Sequence, residues 1–83
     1  MVSPAPPREF HVVVTASALH IVRRPHVAAH IFQAEYPGFK TSHGPHDRDG
    51  LLDTFENEWP DVLLIRRTDI MGFLDGSAAT LTL

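Results

Sequence analysis

Two arginine pairs and six histidines are the residues of this chain whose types and spacing could do chemistry. Arg23-Arg24 closes an alternating segment, residues 19–22, and Arg66-Arg67 closes an apolar run, residues 62–65. If both runs are parallel strands joined through a helix beginning at Pro25-His26, a β-α-β crossover brings their carboxyl ends to one sheet edge. Arg23, Arg24, Arg66 and Arg67 would then meet the free amides of a helix start at His26. That arrangement would hold a phosphate, a carboxylate or a nucleotide. Solvated arginines paired with the acidic 47–61 stretch are the plainer alternative.

The histidines offer a second arrangement. His26 and His30 stand one helical turn apart, and His43 and His46 in a polar stretch could complete a metal site. No Glu converts the pair into a His-Glu-x-x-His motif, so a metalloprotease is not indicated. At an interface the same imidazoles would titrate near their ordinary pKa of ~6.5 and weaken association when protonated. A third arrangement is enzymatic: His43, His46, Asp47, Arg48 and Asp49 have the residue types of a general acid and base in a small hydrolase. The chain has no Gly-rich phosphate loop, no nucleophile elbow and no cysteine, and no cofactor is expected from it.

The elements that must position these groups follow from pattern. Residues 61–68, Asp-Val-Leu-Leu-Ile-Arg-Arg-Thr, read as a strand buried on both faces, and the other segments are arranged around it as cover. Residues 10–15 alternate Phe10, Val12 and Val14 with His11, Val13 and Thr15, a β pattern. Residues 19–24 alternate again, so a turn at Ala16-Ser17 sets Val14 opposite Leu19 and Val12 opposite Ile21. That turn lacks the Gly or Asn tight hairpins prefer, and a helix over 17–24 stays open. Pro25 suits a first helical position, and residues 26–36 carry Val27, Ile31 and Ala34 on one stripe, widened by Ala28 and Phe32. Pro37-Gly38 ends that helix.

Residues 39–50 show no apolar period and read as a long loop. Asp49 could cap a short helix over 50–58 that buries Leu51, Leu52 and Phe55. Asp75-Gly76 is a hairpin signal pairing residues 70–74 with 77–83, the alternative being a helical turn over 69–74. The uncharged C-terminal strand is a poorly protected edge, expected to be paired centrally or against a second subunit.

These elements predict a single α+β domain over 9–83 behind an N-terminal arm over 1–8. Its sheet is expected to be mixed and four- to five-stranded, with one longer and one short helix packed on one face. With 83 residues and no cysteine, the core must come from apolar side chains or from a second subunit. A net charge of −3 and few aromatics argue against nucleic acid. No run spans a membrane and no secretory signal is visible, so a cytoplasmic protein is expected. The function expected by elimination is a noncatalytic, homo-oligomerising domain that binds a partner protein, of adaptor or inhibitor type, through its free strand.

Overall fold

The structure is a computed structural model describing residues 9–24 and 29–83. The expected arm over 1–8 and the helix start with His26 lie outside the described residues. Within them the chain runs β1 (Phe10–Thr15), β2 (Leu19–Arg23), α1 (Ala29–Glu35), β3 (Phe39–His46), α2 (Arg48–Glu58), α3 (Pro60–Ile65), α4 (Arg67–Asp75) and β4 (Thr80–Thr82). This is the α+β class expected, with four strands in the order β3-β1-β2-β4. Every pairing is antiparallel, which corrects the mixed sheet.

The β1–β2 hairpin has the expected register, Val14 opposite Leu19 and Val12 opposite Ile21. Its turn closes without glycine because Thr15 supplies polar partners on both sides. The Thr15 N–H donates to the Ala18 carbonyl at 3.0 Å, and the Ala18 N–H donates to the Thr15 hydroxyl oxygen at 3.2 Å. A side-chain oxygen thus takes the amide that a tighter turn would leave to the backbone.

Alternation along β1 and β2 gives the sheet two apolar faces. Phe10, Val12 and Ile21 join Leu51 and Phe55 of α2 and Ile70, Phe73 and Leu74 of α4 in one buried cluster. Val13 and Val22 point the other way and meet Phe32 of α1, with Tyr36 and Phe39 beside them. Helices therefore cover both faces, not one. On α1 the buried residue is Phe32, while Ala34 and Gln33 are exposed. Gly38, at φ +77°, provides the left-handed stop after Pro37.

The structure corrects further expectations. The polar 39–50 stretch is not a loop: residues 39–46 form edge strand β3, whose polar side chains lie along a margin that one partner strand satisfies. Its irregular register against β1 goes with Gly44, at φ +133°, where a Cβ would come within 2.8 Å of the Phe10 carbonyl oxygen. Only glycine fits so close an approach at that dihedral.

The strand expected over residues 61–68 is not present. Residues 60–65 are helix α3, and Leu64 and Ile65 are 77% and 78% exposed. Pro60 occupies the start, Asp61 sits in the first turn, and arginines follow the end, each of which favours helix. A four-residue apolar run has no period of its own, so these terminal signals decide it.

Residues 70–74 belong to α4, as in the helical-turn alternative, and β4 pairs with β2 instead of with them.

Asp47, not Asp49, caps α2, its carboxylate accepting from the Gly50 N–H at 2.7 Å. Asp47→Ala should cost about 1 kcal/mol, read as a lowered midpoint in urea denaturation with unchanged slope. An unshifted midpoint would mean that water replaces the cap without loss.

Candidate interaction surface

Antiparallel pairing removes the crossover that was to gather the arginines. Arg23, the last residue of β2, reaches the end of α4. Its guanidinium donates to the carbonyls of Phe73 and Gly76 and, at 3.3 Å, to that of Leu74. Phe10 and Phe73 rings flank it at 5.3 and 5.1 Å. Helix-end carbonyls carry partial negative charge, so this cation is held by protein acceptors. Arg24 pairs with Glu35 at 2.9 Å and lies over the Phe32 ring. Arg66 pairs with Asp69 at 2.8 Å and borders a groove with Leu19, at the opposite end of β2 from Arg23. Four strand residues separate those ends by roughly 13 Å. Arg67 is exposed at the start of α4.

The histidines are distributed across both sheet faces. His11 is buried against the Phe32 ring at 5.1 Å. His20 meets the Thr82 hydroxyl at 3.0 Å and the Tyr36 ring. His43 stands edge-on to Trp59 at 5.6 Å, and His46 reaches the Thr54 hydroxyl at 3.3 Å. These last two lie on the α2 side, whereas His30 is exposed on α1 across the sheet. Among the described residues no three His, Asp or Glu side chains come together as a metal-binding group. Of the candidate acid–base residues, Asp47 caps α2 and Arg48 pairs with Asp75, while Asp49 lies in the first turn of α2.

What the fold does assemble is an apolar surface beside an open strand edge. Antiparallel ladders alternate hydrogen-bonded and non-bonded pairs. The Arg23 N–H donates to the Ala79 carbonyl at 2.8 Å, and the Leu83 N–H to the Leu19 carbonyl at 2.9 Å. Residues 79, 81 and 83 therefore direct their backbone groups at β2, and Thr80 and Thr82 direct theirs outward from the sheet. Within β4 no side chain is charged, the strand carrying only Thr, Leu and Thr. Beside it, Leu19 and Leu83 from the sheet and Val62 and Ile65 from α3 line an open groove of about 340 Å³, with Asp61 and Arg66 at its rim.

No family model, curated protein or solved structure matches the chain. The surface must be read from its own chemistry. Each large aliphatic side chain left in water forgoes about 1.5–3 kcal/mol of burial, and here two are consecutive, at Leu64 and Ile65. Exposed apolar patches beside a polar rim are where proteins associate. The C-terminal strand edge was legible from its composition, but the α3 half of the surface was not. The signal for it was present as an acid at the start and bases at the end of residues 61–67, a charge order that suits a helix dipole.

Proposed function

We propose that this domain is a noncatalytic interaction module that binds a partner protein by adding β4 to the partner's sheet. The observation that carries the reading is the outward row of Thr80 and Thr82 backbone groups on an uncharged edge, with an apolar groove alongside. Strand addition draws affinity from main-chain hydrogen bonds and selectivity from alternate side chains. On the face shared by Leu81 and Leu83, an added strand would bring its side chains toward the groove, so an apolar residue is favoured there. The partner's opposite face would meet Thr80, Thr82 and His20. Engagement of the edge, without any bond made or broken, fits an adaptor or an inhibitor. The placement of the helix-capping and ion-paired residues in the 46–49 stretch supports the noncatalytic part of the reading. No helix among the described residues is long and apolar enough to cross a membrane.

A capped peptide of alternating Val and Thr tests this directly. Added to isotopically labelled protein, it should shift the amide resonances of Thr80, Leu81 and Thr82 and slow exchange at Thr80 and Thr82. Proline is the informative substitution, because the Thr80 N–H makes no bond to β2. Thr80→Pro should keep the fold and reduce peptide binding about tenfold, the loss of one strand hydrogen bond plus local fit. Unchanged β4 resonances at saturating peptide would remove strand addition as the binding mode.

A further inference from the structure

We infer that a second copy of this chain docks antiparallel along α3, with Leu64 and Ile65 at the two-fold axis. This deepens the interaction reading and shares the groove wall at Ile65 with it, but it makes no use of the β4 backbone edge, so each can fail alone. Asp61, Leu64 and Ile65 stand at i, i+3 and i+4 and share one face. Val62 and Leu63 are half-buried against the core cluster on the other. The outward face therefore has an apolar centre, an acid at its first turn, and Arg66-Arg67 just past its last.

That charge order chooses the occupant. A two-fold contact is isologous, so the same patch must complement itself. Turning one α3 antiparallel to another about an axis midway between Leu64 and Ile65 brings Asp61 of each copy toward the Arg66-Arg67 junction that follows α3 in the other. Both ends then place opposite charges together, and both centres place aliphatic against aliphatic. A parallel arrangement would set acid on acid and base on base. Arg67 is the cation for this contact, since Arg66 already holds Asp69. The groove edge at Ile65 lies next to the position Leu64 of the second copy would take, so that side chain enters among Val62, Leu19 and Leu83.

Sedimentation equilibrium on the full chain, from low micromolar to several hundred micromolar, is the test. The native protein should move from monomer toward dimer mass. Ile65→Glu should remain monomeric with its helix content unchanged. Asp61→Arg and Arg67→Glu should each weaken dimerisation about tenfold, because two symmetric contacts change from attraction to repulsion. The double variant Asp61→Arg/Arg67→Glu should return to within roughly threefold of native affinity, a rescue that loss of folding could not produce. A native protein monomeric throughout, or a double variant no tighter than the singles, overturns the proposal. Thr80→Pro should leave the dimer intact, and Arg67→Glu, which lies outside the groove, should leave the peptide shifts at β4 intact. Those cross-controls separate failure of this contact from failure of the strand-edge reading.

Discussion

Arg23→Ala should destabilise the domain by about 2–3 kcal/mol, lowering its melting temperature by roughly 15 °C for a chain this short. The substitution removes donors to the carbonyls of Phe73, Leu74 and Gly76 and the cation between the Phe10 and Phe73 rings. Hydrogen bonds from a charged donor contribute about 1.5–3 kcal/mol each, so a plain sum would be larger. Two effects bring it down: the Arg23 Nε is buried with no hydrogen-bond partner among the described residues, and part of the side chain remains in contact with water. Arg23→Lys should recover less than half the loss, since an ammonium group cannot reach several carbonyls as a planar fork does. Hydrogen exchange should locate the damage in the last turn of α4. A melting temperature within two or three degrees of native would show that solvent caps this helix end as well as Arg23 does.

The same residue shows why parts of the sequence were legible and others misleading. The β1–β2 hairpin could be read to the residue because two alternating β-branched segments match in only one register that keeps both faces apolar. Helix α2 was visible through Leu51 and Phe55 at i and i+4, with its cap misplaced by two residues. Edge strand β3 was invisible because a strand with one neighbour and a wetted margin needs little hydrophobic alternation, so Lys40, Thr41 and Ser42 could pass for loop. Residues 62–65 mislead in the opposite direction: an apolar run there points to burial, although Leu64 and Ile65 face solvent. The parallel crossover and the arginine cluster both depend on that burial. Adjacent charges carried more information than hydropathy there, since Asp61 and Arg66-Arg67 bracket a helix in the order its dipole favours. Arg23 itself could not be assigned from sequence, because its acceptors lie fifty residues away on an element that reads equally well as a hairpin strand.

Moving the core away from Leu64 has a measurable consequence. Phe55→Ala should cost about 3–5 kcal/mol, against less than about 0.5 kcal/mol for Leu64→Ala in the monomer. Phe55 has no exposed surface, shares the cluster of Phe10, Val12, Ile21, Leu51 and Ile70, and lies 5.3 Å from the Trp59 ring. Truncation there leaves a cavity between α2 and the sheet that the surrounding rings and β-branched side chains can only partly close. A domain of this size is expected to have a total stability of roughly 4–12 kcal/mol. Phe55→Ala therefore threatens the folded state itself, with the urea midpoint displaced toward zero and Trp59 fluorescence reporting the loss of its neighbour. Leu64→Ala removes atoms already in water and should leave the midpoint in place at concentrations where the protein is monomeric. If the two substitutions cost the same, residues 62–65 must be buried after all, and both the helical assignment of α3 and the association surface built on it would have to be abandoned.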